Sequence, residues 1–247
     1  MSLINTYEHP LSKGTYTIHQ HVVCKKVLPI EYERYILPYF SMSDKVVLGG
    51  SIALNMLDLM ELDYVERQPD LDFSLTGPLT DNELATMVDF FDLRRRDKNP
   101  YLPEGKGFVN DDILKQDLIL FAKTEKVEEP NEYRDERQIY KVDFFNNNYL
   151  SERDVIPIIY HDHEDNKWAI RLTHPSIILA AKARYAFDVR VSKQFKHWED
   201  IEELYHRKNN KKYFRIMRQI EKTMSEQRNK KLHTNVSMSF DLDELWM

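Results

Sequence analysis

The segment KVVLGGSIALNMLDLMELDYVERQPDLDFSL, residues 45–75, decides the fold. Residues 45–48 have the apolar pattern of a short buried strand, and they run directly into a Gly-Gly-Ser turn at residues 49–51. Residues 52–61 predict a helix that is too apolar to face solvent all round. Residues 71–75 alternate between apolar and polar side chains, which is typical of a strand with one buried face. The segment therefore predicts a strand, a tight turn, a helix and a second strand, the start of an α/β core.

The chain up to residue 172 continues this α/β pattern. Further strands are predicted at 118–122, 139–145, 156–160 and 168–172, the last two as a hairpin. Thr80 and Glu83 fit a capping box, which predicts a helix running to about Arg95. The polar stretch 123–138 predicts a turn or excursion between two strands. We therefore predict an α/β (α+β) fold with a small mixed sheet over residues 1–172, beginning with an N-terminal arm.

The pattern becomes helical after residue 172. Thr173 or His174 can cap a helix whose first turn contains Pro175. A second helix carries large apolar residues at helical spacing, a face that we expect to pack in a bundle: Phe195, Trp198, Ile201, Leu204 and Tyr205. A third, basic helix is predicted over about 210–228. Residues 173–247 are therefore predicted to form a helical domain that ends in an acidic, apolar tail.

The composition is typical of a globular protein, with 42% apolar and 31% charged residues among 247. No apolar run is long enough to span a bilayer, and we see no signal peptide, so we expect a cytoplasmic protein with no membrane partner. Cys24 is the only cysteine, which excludes an internal disulfide and a cysteine-rich zinc site. The net charge of −6 argues against a uniformly basic surface. The basic segment 207–231 nevertheless fits either a local contact with RNA or a solvated helix face.

Three aspartates carry the predicted chemistry. Asp70 and Asp72 are two residues apart on a predicted strand, so their side chains project from one face, where they repel unless a cation lies between them. Asp143 lies in a later strand between apolar neighbours, where a charge needs a partner or a metal. Carboxylate oxygens suit Mg²⁺, and three carboxylates from two strands can hold two metal ions for in-line phosphoryl or nucleotidyl displacement. The turn glycines let backbone approach a ligand closely, and the helix after them offers N–H groups to a phosphate.

These motifs also carry a resemblance. VVLGGSIALNML, followed by PDLDFSL and then KVDFF, resembles the nucleotidyltransferase superfamily that includes DNA polymerase β. Residues 174–204 (HPSIILAAKARYAFDVRVSKQFKHWEDIEEL) are similar to the region after the catalytic core of AbiEii-type proteins, toxin components of bacterial toxin–antitoxin and phage-defence systems. Two features depart from that pattern. The interval before Asp70 is lengthened by residues 61–69 (ELDYVERQP). AbiEii-type proteins carry a Lys-Asp pair before an amphipathic helix, whereas Lys196 and Asp200 are separated by three residues here.

The resemblance implies roles for particular residues. Gly49, Gly50 and Ser51 would bind the triphosphate of an NTP. Asp70, Asp72 and Asp143 would hold two Mg²⁺ ions, with Asp143 also helping to deprotonate an acceptor hydroxyl. Cationic side chains of the helical part would contact nucleotide phosphates: Lys182, and with weaker support Arg190 and Lys193. The pattern around Lys182 alone would equally fit a lysine that snorkels at a helix interface.

The reaction so implied is transfer of a nucleoside monophosphate from an NTP to an acceptor hydroxyl, with release of pyrophosphate. The acceptor could be the 3′ end of a tRNA or other RNA contacted by residues 207–231, a protein side chain or a small molecule. Two other hypotheses stay open. The chain could bind nucleotide without catalysis, or it could be a phage or defence-system component that binds an antitoxin or another protein through residues 240–247.

Overall fold

The predicted strand–turn–helix–strand unit forms the middle of a mixed sheet. The computed structural model describes residues 5–8, 15–18, 22–23, 26–95, 117–131, 134–146, 148–187 and 194–208, with single residues between 210 and 222. Within these ranges the strands are β1 Asn5–Glu8, β2 Thr15–Ile18, β3 Val22–Val23, β4 Val46–Leu48, β5 Leu71–Leu75, β6 Leu93–Arg95, β7 Leu118–Asn131, β8 Arg134–Phe145, β9 Val155–His161 and β10 Lys167–Thr173. The helices are α1 Ile30–Met42, α2 Gly50–Met56, α3 Tyr64–Arg67, α4 Asp81–Phe91, α5 Pro175–Phe187 and α6 Gln194–Lys208.

Eight of the described strands form one sheet in the order β3-β9-β10-β4-β5-β8-β7-β6, and β1 pairs only with β2. The pairs β5–β8, β4–β10 and β3–β9 are parallel, and the other pairs in this sheet are antiparallel. The mixed α/β sheet and the predicted hairpin of β9 and β10 are therefore confirmed. None of the helices in the described ranges is long and apolar enough to cross a membrane.

Alternation along β5 separates the core from the opposite face of the sheet. Leu71, Phe73 and Leu75 are fully buried, whereas Asp72 and Ser74 between them are partly exposed. Helix α1 packs against the apolar face through Tyr39, whose ring stacks on Phe91 and lies close to Phe73 and Phe144. The aromatic core on one face leaves the aspartates on the other.

Two helices end earlier than the sequence predicts. Helix α2 stops at Met56 because Asp58 adopts a left-handed conformation and the N–H of Leu59 bonds to the carbonyl of Leu54, a Schellman motif. Helix α4 has the predicted capping box but stops at Phe91, again before a left-handed residue, Asp92.

The residues after Asp92 correct a second part of that prediction. Leu93–Arg95 form an edge strand paired with β7, where Leu93 is buried in the core, so the predicted helix to about Arg95 was wrong. Burial of Leu93 in the sheet outweighs the helical pattern of the preceding residues.

In the stretch 123–138, the described residues 123–131 and 134–138 do not form a turn but extend β7 and β8 into a long antiparallel ribbon. The register brings acidic positions opposite basic ones, such as Glu125 opposite Arg137 and Lys126 opposite Glu136. Cross-strand positions of opposite charge favour strand pairing in a polar sequence. A polar composition therefore predicted a loop where the chain continues as strand.

Helices α5 and α6 follow the sheet. His174 rather than Thr173 caps α5, since its Nδ1 accepts a bond from the N–H of Ser176. Along α6, Ile201 and Leu204 are buried, but Phe195, Trp198 and Tyr205 are exposed, so only part of the predicted apolar face packs. The basic segment 207–231 and the tail 240–247 lie almost entirely outside the described residues.

Candidate functional site

Asp72 and Asp143 lie side by side on neighbouring parallel strands. The register of β5 and β8 pairs Asp72 directly with Asp143, so both side chains project from the same face of the sheet. Asp70 immediately precedes β5, and its Oδ1 lies 3.6 Å from Nζ of Lys141 on β8. The two strands therefore bring all three predicted carboxylates to one region of the sheet.

The electrostatics of Asp72 show how closely these groups are coupled. Although part of Asp72 reaches solvent, the protein atoms packed around its carboxylate desolvate it and raise its pKa to about 7. Nearby Asp143 and Asp70 add to the rise, and Lys182 and Lys196 oppose it. A carboxylate near two others is easier to protonate because ionisation adds a like charge. The net rise means that burial and the neighbouring carboxylates together outweigh the effect of the two lysines on this group.

The Gly-Gly-Ser turn fits closely around Asp72. The N–H of Gly49 donates to the main-chain oxygen of Asp72 over 2.7 Å. Gly50 has φ +61°, and a Cβ at that position would lie 2.0 Å from Oδ2 of Asp72. Only glycine both adopts this left-handed conformation without strain and leaves room for the carboxylate. The turn thus fixes the position of Asp72 as well as the start of α2.

Ser51 connects the turn to the C-terminal helices. Its hydroxyl accepts a hydrogen bond of 3.0 Å from Nζ of Lys182 on α5. The same ammonium group lies 2.5 Å from Oδ2 of Asp200 on α6, and all three side chains are buried. Oδ1 of Asp200 is held by Nη1 of Arg67 at 2.6 Å. A lysine in this buried network is not a snorkelling lysine, so that alternative for Lys182 is wrong.

The structure brings most of the predicted site residues together. Gly49, Gly50, Ser51, Asp70, Asp72, Asp143 and Lys182 all lie around the turn and the adjacent ends of β5 and β8. Arg190 and Lys193 lie outside the described residues. Among the residues that the structure describes, no group of three or more His, Cys, Asp or Glu side chains is arranged to hold a metal ion.

Three further residues of the site were not among the predicted site residues. Lys196 and Asp200 are four apart on α6, a spacing that places them on one helix face, and this spacing was the available signal. Lys196 lies close enough to Asp72 to lower its pKa. No sequence pattern indicated Arg67, because it lies in the segment 61–69, where the chain departs from the family pattern.

Comparisons with known proteins leave the family assignment at the level of resemblance. No family model matches the chain, and searches of curated proteins and of solved structures also gave no match.

Proposed function

We propose that this chain is a Mg²⁺-dependent nucleotidyltransferase, which moves a nucleoside monophosphate from an NTP to an acceptor hydroxyl and releases pyrophosphate. The observation that carries the proposal is the pairing of Asp72 with Asp143 on one sheet face, directly against the glycine turn and beside Lys182. Metal-holding carboxylates and a cation next to a glycine turn are the elements that this chemistry requires.

The chemistry of the donor atoms suits Mg²⁺. Asp70, Asp72 and Asp143 offer only oxygen atoms, which Mg²⁺ prefers, and substrate phosphates can complete its coordination. Burial and then the like charges of Asp143 and Asp70 raise the pKa of Asp72, and a divalent cation would relieve the repulsion between these carboxylates. When bound, Mg²⁺ would stabilise the charge that develops on the transferred phosphate and on the leaving pyrophosphate.

The remaining roles fall to the side chains around the turn. In this proposal Lys182 and Ser51 bind the triphosphate, and the contact between the ammonium and the hydroxyl at the turn supports the assignment. Asp143 is the group assigned to accept the proton of the acceptor hydroxyl. The acceptor is an RNA 3′ end, a protein side chain or a small molecule, and a toxin role with a cognate antitoxin rests on the resemblance of residues 174–204.

The test is incubation with each labelled NTP, Mg²⁺ and total RNA, followed by detection of labelled RNA or protein. Asp70→Asn and Asp72→Asn should each reduce transfer by at least about 100-fold, because each removes a charge from the metal-holding set. Asp92→Asn is the matched control, since Asp92 is exposed, distant in the sheet order and left-handed, a conformation that Asn tolerates. Unchanged transfer in both site variants would refute the proposal. Nucleotide binding without transfer by the unmodified chain would support the non-catalytic alternative.

A further inference from the structure

Arg67 enters the site from the segment that lengthens the chain before Asp70. This segment contains α3, whose N-terminus is capped by Asp63 through bonds from the N–H groups of Val65 and Glu66. The helix ends at Arg67, and the next residue, Gln68, has a left-handed backbone with φ 38°. The cap and this turn hold Arg67 at the end of a short ordered helix.

Arg67 and Lys182 share one carboxylate. Asp200 is fully buried and accepts from Arg67 on Oδ1 and from Lys182 on Oδ2. Ser51 also donates to Oδ2, at 3.4 Å. One buried negative charge is therefore placed between two positive charges. Arg67 also lies 3.7 Å from Glu199, but that side chain is 67% exposed, so solvent screens its charge and the buried part of the network keeps a positive sum.

The position of that surplus charge matters for an anionic ligand. With Lys182 alone, Asp200 would form a neutral buried pair, and an anion at Ser51 would gain little from the ammonium group. Arg67 offsets the charge of Asp200 from its other oxygen, and a guanidinium stays protonated in proteins. The positive charge of Lys182 is then left to act on a ligand at the turn.

We propose that Arg67 is a positioning residue for triphosphate binding: it offsets Asp200 so that Lys182 presents its charge to the phosphates at Ser51. The inference rests on the proposed function, because it assigns the ligand of this turn as a triphosphate. Arg67 itself need not touch the substrate. The lengthened segment therefore adds an electrostatic element to the site.

The competing explanation is that Arg67 only stabilises the fold and has no role in binding. The chain contains a matched control for this explanation. Arg207 also joins α6 to the segment before α3, with Nη2 3.1 Å from Glu61 and Nε 3.3 Å from Glu203. Its side chain is 22% exposed and that of Arg67 is 29% exposed. Removing Arg207 breaks a bridge between the same parts of the chain without touching Lys182 or Asp200.

The experiment measures the affinity of inorganic tripolyphosphate in the presence of Mg²⁺ by calorimetry, for the full chain and for R67Q, R67K and R207Q. R67Q should bind at least tenfold more weakly, R67K within threefold of the unmodified chain, and R207Q equally well. If transfer is detected, R67Q should raise KM for the NTP more than it lowers kcat. Thermal unfolding of each variant identifies loss of the folded state.

The outcomes separate the two proposals. Equal binding by folded R67Q, or equal weakening by R67Q and R207Q, would overturn the role of Arg67 and leave the proposed function intact. If R67Q does not fold, R67K decides, because tenfold weaker binding by folded R67K would show that the charge is not the cause. Failure of the unmodified chain to bind tripolyphosphate would refute the proposed triphosphate site, and the role of Arg67 with it.

Discussion

Gly50→Ala tests the closest contact in the site. A Cβ on Gly50 would lie 2.0 Å from Oδ2, 2.9 Å from Cγ and 3.0 Å from Cβ of Asp72. Ordinary contact begins at 3.4 Å, so the carboxylate oxygen must move by the difference between 3.4 and 2.0 Å, which is 1.4 Å. Because Cβ of Asp72 is itself too close, rotation of its side chain cannot relieve the overlap, and the backbone of α2 or β5 must shift as well.

The magnitude follows from these displacements. A left-handed alanine costs about 1–2 kcal/mol, and an off-rotamer aspartate adds about 0.5–1.5 kcal/mol. Alanine lowers the conformational entropy of the unfolded chain relative to glycine, which offsets about 0.4–1 kcal/mol of this loss in stability. The free energy of unfolding should therefore fall by about 0.5–3 kcal/mol. Nucleotide transfer should fall by about 100-fold, since a misplacement of about 1 Å has that effect on a catalytic geometry.

The assays are urea unfolding and Mg²⁺-dependent transfer, with two glycine controls. Among the described residues, no atom lies within 4 Å of the position that a Cβ on Gly77 would take, so Gly77→Ala should change neither quantity. Gly49 has an extended backbone and a nearest atom at 3.3 Å, so Gly49→Ala should give an intermediate loss of stability. Unaltered stability and transfer in Gly50→Ala would show that Asp72 does not lie against the turn.

Two predictions concern the dependence of stability on pH. Although burial opposes ionisation, bonds from Lys45 and Thr80 lower the pKa of Glu83 from 4.5 to about 2. Its stabilising effect, about 1–3 kcal/mol, should be lost as pH falls from about 4.5 to 2, and Glu83→Gln should remove that slope in urea unfolding. For Asp72 the change of stability with pH has the opposite sign, because burial and Asp143 raise its pKa from 3.8 to about 7. The metal-free chain should therefore lose stability as pH rises from about 4 to 7, and an unchanged slope in Asp72→Asn would contradict this.

The sequence predicted the centre of the fold because its signals there are local. The alternation in β5 assigns Leu71 and Phe73 to the core and Asp72 to the other face from neighbouring residues alone. The capping box of Thr80 and Glu83 was also readable, since both partners lie within one helical turn. Patterns of this kind need no knowledge of the rest of the chain.

Element ends and long strands were missed where tertiary contacts decide the conformation. Asp58 and Asp92 end their helices in left-handed conformations that their residue type permits but does not require. The ribbon of β7 and β8 is polar, and it is a strand because each half pairs with the other. The sequence pattern of one segment does not include the strand elsewhere in the chain that pairs with it and stabilises it.

The candidate site shows the same distinction between residues that the local sequence predicts and residues that only the fold brings together. The carboxylates of Asp70 and Asp72 were predictable because they are two residues apart at the start of one strand, and Asp143 because apolar residues flank it. Lys141, which pairs with Asp70, lies on β8 itself, whereas Lys182 on α5 and Lys196 on α6 come from later parts of the chain, so their placement needs the fold. Burial contributes most to the raised pKa of Asp72, and the like charge of Asp143 adds to it. Paired carboxylates beside the glycine turn and Lys182 are complementary to a metal ion and a phosphate chain bound together.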